Sequence, residues 1–121
     1  MKKRSAFPAP ALLKSFSFAF AGLAFMLRTQ RNARVHAIAT AAVLGAGGSC
    51  QVDVLDWRWL IAAIAFVWVA EAMNTAIEHV CNAVSPQYQT GVEKAKDVAA
   101  GAVLLAAGGA ALIEVSVFGP V

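Results

Sequence analysis

Charged residues are scarce in this chain of 121 residues: they make up 14% of it, whereas 60% is hydrophobic. A typical soluble domain carries about 25% charged residues, so this composition argues against an ordinary soluble protein. The length suits a single domain. Alanine and glycine are abundant, and such small side chains let helices approach closely in a bilayer. The sequence therefore predicts an all-α integral membrane protein.

Acidic residues are absent before Asp53. The same stretch holds seven of the ten basic residues, namely Lys2, Lys3, Arg4, Lys14, Arg28, Arg31 and Arg34. A basic segment of this kind can bind nucleic acid, but in so apolar a chain the positive-inside rule favours a cytoplasmic flank of the membrane. We expect a cytoplasmic N-terminus and no nucleic-acid partner. The two cysteines, Cys50 and Cys81, have no metal-ligand spacing and are expected to stay unpaired.

Hydropathy divides the chain into a basic tail followed by one membrane domain over residues 11–121. Residues 1–10 contain two prolines and are expected to be disordered. Residues 11–28 are apolar apart from Lys14 and Arg28, which favours an amphipathic helix on the cytoplasmic surface. The alternative for this segment is a fourth spanning helix. The three spans are expected at about residues 33–50, 59–82 and 97–117.

Two loops set the orientation of these spans. Residues 51–58 form the expected outer loop, and residues 85–97 the expected cytoplasmic loop, with Pro86 ending the second span. Lys94 and Lys96 lie in the cytoplasmic loop, in agreement with the positive-inside rule. The C-terminus is therefore expected outside.

The second span contains polar residues where lipid contact would make them costly. Successive helical residues turn by about 100°, which places Asn74 and Glu78 within about 60° of Glu71. An asparagine alone is explained by hydrogen bonding between helices. Two carboxylates on one face repel each other unless a cation joins them, which favours a functional site.

Depth separates the two carboxylates. Glu78 is expected about 10 Å closer to the cytoplasm than Glu71. A carboxylate shielded from water is a better proton acceptor, so Glu71 suits a general base. Glu78, near the headgroups, suits Mg²⁺, which takes oxygen ligands and brings substrate phosphates with it.

Lys96 and Asp97 are expected where the chain re-enters the membrane. Lys96 can neutralise phosphate oxygens, and Asp97 can cap the third spanning helix, bind metal or hold Lys96. A lysine reaching for the headgroups and a capping aspartate are the ordinary alternatives.

The motif E-A-M-N-T-A-I-E, followed by A-K-D-V-A-A-G-A-V, resembles the prokaryotic diacylglycerol kinase family, which also contains undecaprenol kinases. The stretches K-S-F-S-F-A-F-A-G-L and R-T-Q-R-N-A-R-V-H are similar to that family's N-terminal helix and hinge. The resemblance covers roughly residues 12–115. It implies a homotrimer in the bacterial cytoplasmic (inner) membrane, each subunit having three transmembrane helices and a surface helix. Composite sites between subunits are also expected because three thin, Ala-rich helices cannot hide the polar stripe alone.

The resemblance implies an enzyme that transfers the γ-phosphoryl group of Mg-ATP to the hydroxyl of a neutral lipid. The motifs GxxxxGK[ST] and the Gly-rich loop of protein kinases are both absent. Diacylglycerol is the expected acceptor and undecaprenol the alternative. A small channel or transporter and a membrane adaptor without enzymatic activity are rivals from other classes.

The resemblance also assigns roles to individual positions. Glu71 matches the general base, Asn74 an active-site asparagine and Glu78 a metal ligand, while Lys96 and Asp97 match the nucleotide-proximal loop. The nucleotide-binding set implied by the resemblance comprises Lys14, Gln30, Arg34, Glu78, Asn82, Lys96 and Asp97.

Two positions depart from the family pattern. Gln30 stands where many members have a second metal-binding glutamate, and Asn82 where an aspartate is expected. An amide offers a carbonyl oxygen but no charge, so a second metal at Gln30 would be held weakly. His36 is expected to be a hydrogen-bonded residue at a helix end rather than a catalyst. Phosphate binding from the hinge and contact with the membrane flank are the alternatives for Arg31, Asn32, Arg34 and His36.

Overall fold

Four α-helices make up the computed structural model, which describes residues 9–85, 87 and 89–119. They are α1 (Ala9–Thr29), α2 (Arg31–Ser49), α3 (Val54–Val84) and α4 (Thr90–Phe118). No strand occurs among the described residues, which confirms the all-α class. Residues 9 and 10 already belong to α1, so the expectation of disorder is wrong for them. The other residues expected to be disordered, 1–8, lie outside the described part of the chain.

In the described part of the chain, three helices are long and apolar enough to cross a membrane: Ala11–Thr29, Val54–Val84 and Thr90–Phe118. The last two contain the expected second and third spans, residues 59–82 and 97–117. The first is α1, which the sequence analysis placed on the surface; its composition fits the alternative of a spanning helix. The expected first span is helical as α2, but it falls outside this group because its residues are mainly alanine and glycine and it carries Arg31 and Arg34.

The outer loop is shorter than the expected 51–58. Helix α3 begins at Val54, where the Asp53 side chain accepts a hydrogen bond from the Asp56 backbone N–H at 2.9 Å and so caps the helix. Gln51 has a φ of 53°, and its left-handed conformation reverses the chain between α2 and α3. At its other end α3 stops at Val84, as expected ahead of Pro86, which lies outside the described residues.

The connection between α3 and α4, expected on the cytoplasmic side, is also shorter than expected. Helix α4 begins at Thr90, with Gln89 at the N-cap position, so most of the expected 85–97 loop is helical. Asp97 lies inside the helix, so the alternative in which it caps the third span is wrong. The segment between Thr90 and Asp97 is rich in Glu, Lys and Ala, residues that favour helix.

The core lies between α3 and α4, the two helices that pack most extensively. Its buried residues are small: Ala63, Val67, Ala106 and Ala110. Small side chains allow close approach of the two helices, as in other membrane bundles. Large apolar side chains such as Phe66 and Leu105 point outward instead, as a lipid environment permits.

Helix α2 packs on α3 through two specific contacts. The Trp68 indole N–H donates a hydrogen bond to Thr40 Oγ1 at 2.9 Å. Nearer the outer end, Gly47 lies against the Trp57 ring so closely that a Cβ there would be 2.7 Å from Trp57 Cη2. These contacts fix how far α2 is shifted along α3.

Helix α1 is joined to the rest by its C-terminal end. Arg34 on α2 donates to the backbone oxygens of Leu27 and Arg28, both at 3.1 Å. These carbonyls belong to the last turn of α1 and have no partner within the helix. The rings of Phe25 and His79 lie 5.1 Å apart and join α1 to α3.

Candidate active site

Most of the polar stripe of α3 is buried within one chain. Glu71 is 0% exposed, Asn74 5% and Thr75 6%, whereas Glu78 is only partly buried. The expectation that a single set of helices is too thin to hide the stripe is therefore wrong for Glu71 and Asn74. The burial of Glu71 depends on no second subunit.

Asn74 lies between the two carboxylates and hydrogen-bonds to both. Its Nδ2 lies 3.4 Å from Glu71 Oε2 and 3.3 Å from Glu78 Oε1. One amide group has two N–H donors, so it can serve both acceptors at once. The periodicity of the sequence predicts this row, and the contacts confirm that its three side chains meet.

A fourth side chain, His36 on α2, reaches this row. Its Nε2 lies 3.5 Å from Glu71 Oε1, within ion-pair distance. The same oxygen makes no hydrogen bond with a described residue, so the His36 contact is close without having hydrogen-bond geometry. Asn74 Oδ1 is likewise buried without a hydrogen-bond partner among the described residues. Two buried acceptors thus remain available to a donor from outside the chain.

An open groove of about 320 Å³ runs beside the row. Its polar side is formed by Asn32, His36, Asn74 and Glu78, and its apolar side by α4 residues that include Val103 and Leu104. Such a groove suits a ligand with a polar end and an apolar body.

Lys96 and Asp97 lie away from the row in the single chain. The Lys96 ammonium pairs with Glu93 on the same helix at 3.8 Å. Asp97 is exposed, and its side chain makes no hydrogen bond or ion pair with another described residue. The structure does not bring these two residues into contact with Glu71 or Glu78.

The remaining predicted nucleotide-binding residues are dispersed. Lys14 is exposed on α1, and Asn82 is exposed one turn beyond Glu78 on α3. Gln30 lies at the junction of α1 and α2, where its side chain makes no capping hydrogen bond. Arg34 is next to it, with one guanidinium nitrogen already bound to the α1 carbonyls.

No group of three or more His, Cys, Asp or Glu side chains that could hold a metal occurs among the described residues. A cage made only of protein ligands is therefore not present in that part of the chain. Glu78 borders the open groove as a single carboxylate. This arrangement fits Mg²⁺, which proteins commonly hold with one or two carboxylates while phosphates and water complete its shell.

His36 and Thr75 are the residues whose part in the site the sequence analysis missed. Thr75 donates from Oγ1 to the Glu71 backbone oxygen at 3.0 Å and so stabilises the helix at that point. The sequence gives no sign that His36 faces Glu71, because the contact depends on how α2 packs against α3.

Fold and site together define a small helical membrane protein with a buried carboxylate beside an open groove. Comparison with known proteins gives the family: residues 17–118 match the family described as prokaryotic diacylglycerol kinase, and the chain belongs to it.

Two relatives show how broad the similarity is. A diacylglycerol kinase from Synechocystis sp. is 39% identical over 106 residues, which are 87% of this chain and 61% of that protein. An undecaprenol kinase from Bacillus subtilis is 35% identical over 107 residues, 88% of this chain and 87% of that protein. The chain thus spans about three fifths of the length of the Synechocystis relative and most of the length of the Bacillus one.

Proposed function

We propose that this protein is a membrane lipid kinase that uses ATP and Mg²⁺ to phosphorylate the hydroxyl of diacylglycerol, forming phosphatidic acid. The observation that carries the proposal is the hydrogen-bonded row Glu71–Asn74–Glu78, in which the buried Glu71 lies behind an open groove with one polar and one apolar side. Family membership and the relative named diacylglycerol kinase support the same reaction.

In this reaction the lipid hydroxyl oxygen forms a bond to the γ-phosphorus, and the bond from that phosphorus to the bridging oxygen of ADP breaks. The hydroxyl proton ends on Glu71, which acts as the general base. Asn74 donates a hydrogen bond to Oε2 of Glu71 and so holds the carboxylate in position. Positioning and charge stabilisation are the main requirements of phosphoryl transfer. The row can position the acceptor hydroxyl, whereas a metal held by Glu78 and the Lys96 ammonium would offset the charge on the phosphate oxygens.

Glu78 is the residue that would hold Mg²⁺, and the carbonyl of Gln30, which has no charge, would be a weaker second ligand. The metal would neutralise the charge on the phosphate oxygens when bound. Glu78 lies at the groove while Glu71 lies behind it, so the metal and the base occupy separate places.

Lys96 and Asp97, together with Lys14, Arg34 and Asn82, are proposed to bind the nucleotide. In one chain Lys96 and Asp97 do not contact the row, which supports a homotrimer whose neighbouring subunit completes the site. We further propose the bacterial inner membrane as the location, with the N-terminus in the cytoplasm and the C-terminus outside. The basic N-terminal segment supports this orientation.

Undecaprenol is the second candidate substrate. The relative named undecaprenol kinase is matched over 87% of its length, more of its chain than the Synechocystis relative. Both lipids present a hydroxyl on an apolar body, so the row serves either one.

ATP turnover by the purified protein, measured with diacylglycerol and with undecaprenol in the same detergent, tests the proposal. We expect lipid-dependent ADP release with phosphatidic acid as the product. Turnover with undecaprenol alone would support the second candidate. Ion flux in liposomes without ATP consumption would instead indicate a channel and overturn both.

A further inference from the structure

His36 stands between Glu71 and the groove. Glu71 has no exposed surface, whereas the His36 side chain is 17% exposed and borders the groove. A lipid hydroxyl in the groove would therefore meet His36 before it could meet Glu71. His36 Nε2 lies 3.5 Å from Glu71 Oε1, which leaves the other ring nitrogen for a second partner.

The position of His36 is fixed by a chain of hydrogen bonds between α2 and α3. Trp68 donates to Thr40 Oγ1 at 2.9 Å, and the Thr40 hydroxyl donates to the His36 backbone oxygen at 2.7 Å. Thr40 follows His36 by one helical turn, and Trp68 precedes Glu71 by about one turn. The Trp68–Thr40 contact therefore keeps His36 level with Glu71.

Glu71 Oε1, the carboxylate oxygen that faces His36, accepts no hydrogen bond from the described residues. Asn74 serves Glu71 Oε2, while Oε1 is buried and has no such partner. No other basic side chain in the described part of the chain lies within ion-pair distance of this carboxylate. A buried carboxylate oxygen next to an imidazole is an arrangement that can accept a proton from it.

We propose that His36 is a catalytic residue that carries the proton from the lipid hydroxyl to Glu71, an inference that rests on the proposed function. The second ring nitrogen of His36, Nδ1, takes the hydroxyl proton as the oxygen bonds to the γ-phosphorus. The Nε2 proton passes to Glu71 Oε1, so the imidazole ends neutral and the carboxylate ends protonated. ADP leaves with the electron pair of the broken phosphorus–oxygen bond.

Two other carboxylates face His36. Glu78 shares the groove with it, and Glu114 of α4 shares a smaller cavity of about 90 Å³. Neither makes a described hydrogen bond or ion pair with the imidazole. Glu114 therefore provides a control: it lies near His36 but has no part in the relay.

The test compares His36→Gln, His36→Ala and Glu114→Gln in lipid-dependent ATP turnover. Glutamine keeps an N–H toward Glu71 but cannot accept and release a proton. The relay predicts that both His36 variants lose about 10²-fold or more in kcat, within the usual range for acid–base groups. It also predicts that added imidazole restores part of the activity of His36→Ala. Glu114→Gln should stay within twofold of the unchanged protein.

Three outcomes would overturn the relay. Near-normal kcat in His36→Gln would mean that the histidine only orients Glu71. Near-normal kcat in both His36 variants would mean that the proton reaches Glu71 directly. A loss in His36→Ala that imidazole does not restore would also contradict it, provided that thermal melting shows a folded protein. Failure of the proposed function is a separate result, because the unchanged protein would then show no lipid-dependent turnover.

Discussion

Asn74 Nδ2 lies 3.3 Å from Glu78 Oε1 and so ties the groove carboxylate to the buried part of the row. The same nitrogen reaches Glu71 Oε2, which makes Asn74 the link between two groups of like charge. Without this donor, the repulsion between the two carboxylates would be less well compensated.

Replacing Asn74 with alanine should lower kcat about 10- to 100-fold, because hydrogen bonds to charged groups contribute about 1.5–3 kcal/mol. Asn74→Asp should be worse, since it adds a third carboxylate. Lipid-dependent ATP turnover measures both. Val80→Ala, an exposed change on the same helix, is the control and should have no effect. Equal activity of the alanine variant and the unchanged protein would contradict the linking role.

Glu71→Gln should lower kcat by about 10²–10⁴-fold, the range for a lost general base. The melting temperature in detergent should be unchanged or higher, because the variant replaces a buried charged group with a neutral one of the same shape. Glu114→Gln, a comparable change on α4, should preserve turnover. Full activity in Glu71→Gln would remove Glu71 from the reaction.

Glu78→Gln should raise the Mg²⁺ concentration needed for half-maximal turnover about tenfold, equivalent to about 1.4 kcal/mol of binding. An amide keeps one oxygen ligand but loses the charge that Mg²⁺ prefers. Removal of Mg²⁺ with a chelator should stop turnover in the unchanged protein, and added Mg²⁺ should restore it. The same Mg²⁺ dependence in variant and unchanged protein would exclude Glu78 as a ligand.

Gly47→Ala should lower the free energy of unfolding by about 1–3 kcal/mol, because the new methyl group would overlap the Trp57 ring. Gly48→Ala is a matched control, because no atom of the described residues lies within 4 Å of its Cβ position. It should be neutral or stabilising, since alanine favours helix over glycine by about 1 kcal/mol. Thermal melting in detergent compares the two, and equal melting temperatures would show that α2 can move away from Trp57.

Local patterns predict much of this molecule. The helical period brings Glu71, Asn74 and Glu78 together, and hydropathy identifies the second and third spans. Hydropathy fails at the helix ends, because α3 and α4 continue past the apolar residues through polar ones that also favour helix. For this reason Asp97 lies inside a helix and caps nothing.

Contacts between helices could not be predicted from local sequence patterns. The position of His36 against Glu71 depends on Trp68 and Thr40, which are far apart in sequence. The burial of the stripe within one chain depends likewise on the small residues that let α4 approach α3. Neither feature has a signature in the spacing of residues along one helix.

The early start of α4 changes what a nucleotide would meet at the membrane surface. Helix α3 has 31 residues and is about 46 Å long, whereas the hydrocarbon core of a bilayer is about 30 Å thick. In the proposed orientation, the cytoplasmic ends of α3 and α4 would therefore extend beyond the lipid as helices. Lys96 lies on α4 and not in a loop, so the proposed nucleotide binding there would require no ordering of the backbone. The loss of conformational entropy on docking would then fall mainly on the long side chains and on the ligand itself.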